Sequence, residues 1–116
     1  MNQLTSIFKL LSDETRLRMM VLLFQEELCV CELSGILEVP QPRVSKNLSK
    51  LRDLNLVDDN RKEKFVFYKL KEDNQLMMET LKNICDRLDK HPQLVRDRQR
   101  LGLKEDILNN CCIICD

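Results

Sequence analysis

The chain has little of what irregular loops, membrane spans and many enzymes are made from. With two glycines and three prolines in 116 residues, long structureless connections are not expected. Tryptophan is absent and there is a single histidine, His91, so histidine-rich metal sites and histidine-based acid–base catalysis have almost nothing to draw on. No phosphate-cradling glycine loop and no nucleophile–base pair can be picked out, which argues against an enzyme. The longest strictly apolar run, Met19 to Phe24, is too short to cross a bilayer. The first residues, Met1-Asn2-Gln3-Leu4-Thr5, carry no basic region followed by an apolar signal segment. Together these absences predict a cytoplasmic protein with no membrane partner.

A hydrophobic fraction of 43 % and a charged fraction of 33 % fit a single helical domain with a modest core. The formal net charge is zero, but it is unevenly spread. Residues 1–40 carry three basic and six acidic side chains, residues 41–71 nine and four, and residues 72–116 seven and nine. The positive field is concentrated in the middle third, as a DNA-contacting face requires. Six cysteines are many for a reducing compartment, and there they point to metal or redox work rather than a disulfide framework.

Leu4, Ile7, Phe8 and Leu11 form one stripe of a short first helix. Ser12 is placed to cap a second helix, Asp13 to Gln25, in which Leu17, Met19, Met20, Val21, Leu22, Leu23 and Phe24 leave little polar face. That helix is expected at the centre of the core. After Cys29-Val30-Cys31 comes a short third helix with Leu33, Ile36 and Leu37 inward, then a turn at Glu38-Val39-Pro40-Gln41. A fourth helix starts with Pro42 in its first position and runs to about Leu54, with Val44, Leu48, Leu51 and Leu54 inward. Two short helices, a tight turn and polar long side chains at the start of the second make a helix-turn-helix pattern. Strands are expected at Val57–Asn60 and Phe65–Leu70, with Arg61-Lys62-Glu63-Lys64 as a basic hairpin tip, a wing. A fifth helix, Asp73 to Lys90, carries Met77, Leu81, Ile84 and Leu88 on one stripe and ends at His91-Pro92. Arg96 to Ile107 can be helical, although its charges alternate too densely for a buried face. The chain closes on a tail containing Cys111, Cys112 and Cys115.

The fold class expected is therefore mainly α with a small β-hairpin, a winged helix-turn-helix. Residues 1–92 form the DNA-binding and dimerisation domain, and residues 93–116 a C-terminal extension with a cysteine-rich tail. Gln41, Arg43, Ser45, Lys46, Asn47 and Lys50 sit where a recognition helix reaches bases and phosphates, and Arg61, Lys62 and Lys64 where a wing does. The stripes of the first and fifth helices have no other partner, so a homodimer is expected there. A two-fold dimer in turn expects double-stranded operator DNA with an imperfect inverted repeat.

Three motifs resemble the ArsR/SmtB family of winged-helix repressors over about Leu4 to Leu88. They are Leu11-Ser12-Asp13-Glu14-Thr15-Arg16-Leu17, Glu27-Leu28-Cys29-Val30-Cys31-Glu32-Leu33 and Gln41-Pro42-Arg43-Val44-Ser45-Lys46-Asn47-Leu48. The resemblance implies a homodimer that leaves its operator when a metal or metalloid binds, with Cys29 and Cys31 matching the two thiolate ligands of a metal box. It points to the arsenic-responsive branch. The chain also departs from family patterns. Ser34 stands where one arsenic-responsive subgroup has a third cysteine, and no cysteine precedes the box as in the cadmium and lead subgroup. Asp86, Asp89 and His91 make an incomplete version of the zinc site on the last long helix. Glu63 replaces a common glycine at the wing tip, which predicts a wider turn.

Thiolates are soft donors that select thiophilic ions. As(III) and Sb(III) take three sulfurs in a pyramid, whereas zinc and cadmium favour four ligands. As(III) or Sb(III) is thus the expected inducer, with Cd(II), Pb(II) and Zn(II) ranked behind. Within a regular helix Cys29 and Cys31 would point roughly 200° apart, so joint binding needs the helix to begin near Cys31 or its first turn to unwind. The third sulfur is open between Cys111, Cys112 and Cys115, with Cys85 beside the apolar stripe read as a core or interface residue. An alternative signal is thiol oxidation or persulfidation, with Cys85 or Cys111-Cys112 forming a disulfide.

Overall fold

The structure is a computed structural model that describes residues 2–103. Helix α1 spans Asn2–Leu11 and α2 spans Glu14–Gln25. Asp13, rather than Ser12, caps α2: its carboxylate accepts from the Arg16 N–H at 3.0 Å, while the Ser12 hydroxyl donates to the Lys9 carbonyl and closes α1. Five consecutive residues of α2, Met19 to Leu23, are each no more than 4 % exposed. The helix packs against α1, α3, α5, α6 and the sheet, so it is the centre of the core as its sequence predicts. Truncating such a fully buried Leu or Met costs about 2–5 kcal/mol.

A two-residue strand β1, Leu28–Cys29, precedes α3 (Val30–Leu37). Helix α4 spans Gln41–Asp53, with Pro42 in its first turn and Val44, Leu48 and Leu51 buried. The hairpin strands are β2 (Val57–Lys62) and β3 (Phe65–Leu70). Register pairs Lys62 with Phe65, so the wing turns on Glu63 and Lys64 alone, and the predicted wider turn does not form. Glu63 supplies the left-handed conformation itself, at φ 57°, where glycine would meet no steric cost. The hairpin gains a third strand because β1 pairs antiparallel with β3, giving the order β1-β3-β2. Two residues are too few to show an alternating pattern, which hides β1 in the sequence.

Helix α5 is shorter than expected, Gln75–Asp86, with Asn74 as its cap. Leu88–Lys90 forms a single 3₁₀ turn. Pro92 both ends that turn and opens α6, Pro92–Leu101. Against expectation, α6 has a buried face of Leu94, Asp97 and Leu101. Its dense charges are compatible with burial because they are matched inside the protein. Arg18 of α2 makes a two-pronged contact with Asp97 (2.8 and 2.9 Å) and also donates to the Leu37 carbonyl. Arg100 donates to the carbonyls of Gly35 and Ile36, and Arg96 pairs with Glu38. The C-terminal carbonyls of α3 are thereby satisfied by arginines of α2 and α6, which fix the turn into α4.

Candidate functional site

Cys29 lies at the junction of three elements. It ends β1, where its backbone pairs with Phe67 of the wing strand β3. It is also the N-cap of α3, at φ −94° and ψ 171°, outside the regular helix. The helix begins at Val30, so the extended backbone at Cys29 removes the opposed geometry that a continuous helix would impose on Cys29 and Cys31. Cys29 and Glu32 form a capping box with a thiol in place of the usual hydroxyl: the Cys29 sulfur faces the Glu32 N–H, and the Glu32 carboxylate accepts from the Cys29 N–H at 3.1 Å. Glu32 is 2 % exposed, a buried carboxylate used to hold one helix end. The spacing Cys-x-x-Glu carries that signal in the sequence, once sulfur is admitted as a cap.

Burial, reinforced by the Glu32 carboxylate, pushes the Cys29 thiol up to about 11. Cys31, half-buried in the first turn of α3, accepts a long hydrogen bond from the Gln41 side chain, Nε2 to Sγ 3.7 Å. Gln41 is the first residue of α4. One cysteine of the pair is therefore tied to the wing and the other to the start of the recognition helix. Outside the pair, Glu27 accepts from Lys62 of β2 at 2.6 Å, a further link between the approach to the box and the wing.

Arg43, Ser45, Lys46 and Lys50 are exposed along α4, and Asn47 is half-exposed beside them. Arg61 and Lys62 end β2 and Lys64 lies in the turn, all exposed. The Lys62 and Lys64 ammonium groups lie 5.4 and 5.7 Å from the ring centres of Phe67 and Phe65. Arg43, Lys46 and Lys50 make no ion pair among the described residues, and with Arg16 of α2 they line a groove of about 470 Å³.

Cys85 on α5 packs against the hydrophobic core, with its thiol raised by burial. It does not join the box: among the described residues no three His, Cys, Asp or Glu side chains come together in a way that could hold a metal ion. The same holds for Asp86, Asp89 and His91. Cys111, Cys112 and Cys115 lie outside the described residues. No helix among the described residues is long and apolar enough to cross a membrane.

A helix-turn-helix followed by a β-hairpin wing, with its polar helix face exposed, defines the class as winged helix-turn-helix. The family model "Bacterial regulatory protein, arsR family" matches residues 13–59. Arsenic resistance transcriptional regulator ArsR1 of Pseudomonas putida is 48 % identical over 65 residues, 55 % of this chain and 51 % of that protein. Cadmium resistance transcriptional regulatory protein CadC of Listeria innocua is 37 % identical over 68 residues, 58 % of this chain and 57 % of its own. The solved structure of HlyU from Vibrio cholerae superposes with a TM-score of 0.66 at 30 % identity, covering 75 % of this chain and 91 % of that one. The chain belongs to the ArsR family of bacterial regulatory proteins. ArsR1 and CadC are transcriptional regulators by name, in agreement with the expectation that the chain is not an enzyme. The chain spans about half the length of the curated relatives it matches.

Proposed function

We propose that the protein is a homodimeric transcriptional repressor that releases an operator with an imperfect inverted repeat when arsenite or antimonite binds Cys29 and Cys31. The observation that carries this reading is the position of the pair. Cys29 is hydrogen-bonded in register with the wing strand and caps α3, and Cys31 contacts the first residue of α4. A ligand drawing both sulfurs to one atom takes Cys29 from its capping place and disturbs the Gln41 contact, so both DNA-facing elements shift together. The named functions of relatives point the same way, arsenic resistance for ArsR1 and cadmium resistance for CadC.

The chemistry favours the metalloid. Arsenous acid condenses with a thiol: a sulfur–arsenic bond forms, an arsenic–hydroxyl bond breaks, and the thiol proton leaves with that hydroxide as water. Arsenic is neither oxidised nor reduced. A buried thiol that keeps its proton suits this exchange, whereas a bare dication must expel the proton to solvent. The described site supplies the Cys29 thiol and the Cys31 sulfur, which is disulfide-bonded in this structure and enters the exchange only after a cellular thiol reductant has returned it to the thiol. We take the third donor from Cys111, Cys112 or Cys115. The dimer is supported by large apolar side chains left outward on α1 and α5, Phe8 at 53 % exposure, Leu4 at 38 % and Leu76 at 38 %. The DNA-reading and dimer-forming surfaces lie within residues 1–92, and α6 of the extension braces them.

The test is a titration of the operator complex with arsenite, cadmium and peroxide in parallel, read by DNA anisotropy, with X-ray absorption on the arsenite-bound protein. Release at the lowest concentration by arsenite, with three arsenic–sulfur bonds that fall to two when residues 109–116 are deleted, is the expected result. Release by peroxide alone would replace the metalloid reading with the thiol-redox one.

A further inference from the structure

Arg16 sits in a part of the sequence with excess acid, yet the fold carries it into the basic face of α4. It lines the groove of about 470 Å³ together with Arg43, Lys46 and Lys50. A second depression of about 270 Å³ is lined by Lys9 of α1, Arg16 and Lys50. Arg16 and Lys50 belong to both, so the two depressions form one basic track running from the exposed face of α4, past the start of α2, to the end of α1. We propose that this track seats a backbone phosphate of duplex DNA, with Arg16 and Lys9 as phosphate contacts beyond the recognition helix and the wing.

Arg16 is held for this purpose. Its Nε donates to the Leu10 carbonyl at 3.1 Å, which fixes the guanidinium plane and leaves its two terminal nitrogens without a bonded partner among the described residues. Lys9, Lys46 and Lys50 make no ion pair among the described residues. Two carboxylates lie in the groove, Asp13 and Asp53, and Asp13 is committed to the Arg16 N–H as the cap of α2. Cations therefore outnumber acids two to one around the groove. The track is an exposed channel rather than an enclosed cavity, and it is continuous with the face that carries Ser45 and Asn47. These features fit a polymer's phosphodiester line better than a small anion.

The inference rests on the DNA-binding reading above, and the experiment separates the two. Operator affinity of the full chain is measured by anisotropy at salt concentrations from about 50 to 200 mM for the wild type, K9Q, R16Q and R16K. K9Q and R16Q are each expected to lower the slope of log affinity against log salt by about 0.9 per bound protomer, so the affinity change over that range shrinks about 3.5-fold for each phosphate no longer neutralised. Preference for operator over scrambled duplex should stay within about twofold, because phosphate contacts carry no sequence information. R16K should keep the wild-type slope, which separates the effect of charge from that of the hydrogen bond to Leu10. An unchanged slope in both K9Q and R16Q, with operator binding intact, overturns the phosphate track and leaves the DNA reading standing. A wild-type chain with no salt-dependent DNA binding overturns both. Binding of inorganic phosphate to the free chain that disappears in K9Q and R16Q, with the DNA slope unchanged, assigns the groove to a small anion and overturns the proposal.

Discussion

On the α6 side of the helix-turn-helix, Arg18, Arg96, Arg98 and Arg100 each donate to an acceptor inside the protein, respectively Asp97, Glu38, Gln25 and the carbonyls of Gly35 and Ile36. On the exposed face of α4, Arg43, Lys46 and Lys50 donate to none among the described residues. Both sets are basic, four arginines on one side and an arginine with two lysines on the other. Arg18, Arg96 and Arg100 hold the end of α3 in place and Arg98 reaches Gln25 at the end of α2, whereas the second set is held out to solvent by a helix whose other face is buried through Val44, Leu48 and Leu51. Basic residues therefore serve folding where they meet helix-end carbonyls and a buried carboxylate, and stay available to a binding partner where they meet no acceptor among the described residues.

Substitutions on the two sides should separate accordingly. The largest effect is expected from Asp97→Ala, which leaves Arg18 unpaired with its side chain 13 % exposed. Breaking one partner of such a buried pair costs about 3–5 kcal/mol, read as a lower denaturation midpoint in urea. Lys46→Gln and Lys50→Gln should change stability by less than about 0.5 kcal/mol. Each should still reduce the salt slope of operator binding by about 0.9 per protomer. A Lys46 or Lys50 variant that unfolds, or an Asp97 variant that keeps full stability, would erase the contrast.

The cysteine box adds a pH test. The Cys29 thiol is raised to about 11 in the folded chain from an ordinary value of 9.0, so the folded state keeps a proton that the unfolded state has released. Its contribution is fully present below about pH 9 and declines as pH rises toward 11. Denaturation midpoints should fall over that window in the wild type, and less steeply in Cys29→Ala. The smallest effect belongs to Arg96→Ala. Arg96 and Glu38 are each more than half exposed, so breaking that pair should cost about 0–1 kcal/mol. A larger cost would show that the clamp on α3 extends to its exposed rim.

Much of this was legible in the sequence. The apolar run in α2, the two helices around Pro40, and the β-rich stretch Phe65 to Leu70 carry their periods locally, and the box and recognition motifs carry the family resemblance. What was not legible depends on distant partners. Strand β1 is defined only by its pairing with Tyr68 and Phe67. The burial of α6 depends on Arg18, 79 residues from Asp97 in sequence. The tight wing rests on Glu63 accepting a left-handed backbone that its type disfavours. Arg16 reads as a helix residue in an acidic third, and only the fold brings the start of α2 to the groove it shares with the basic side chains of α4.

The central claim is that the Cys29–Cys31 pair, set between the wing strand and the recognition helix, is the switch. The most direct measurement is arsenite-driven release of operator DNA by the wild type, Cys29→Ser and Cys31→Ser, followed by anisotropy under reducing conditions. Both variants should bind operator with near wild-type affinity and fail to release it at arsenite concentrations that empty the wild-type complex. Release of both variants at the wild-type concentration would contradict the account and place the sensor elsewhere in the chain.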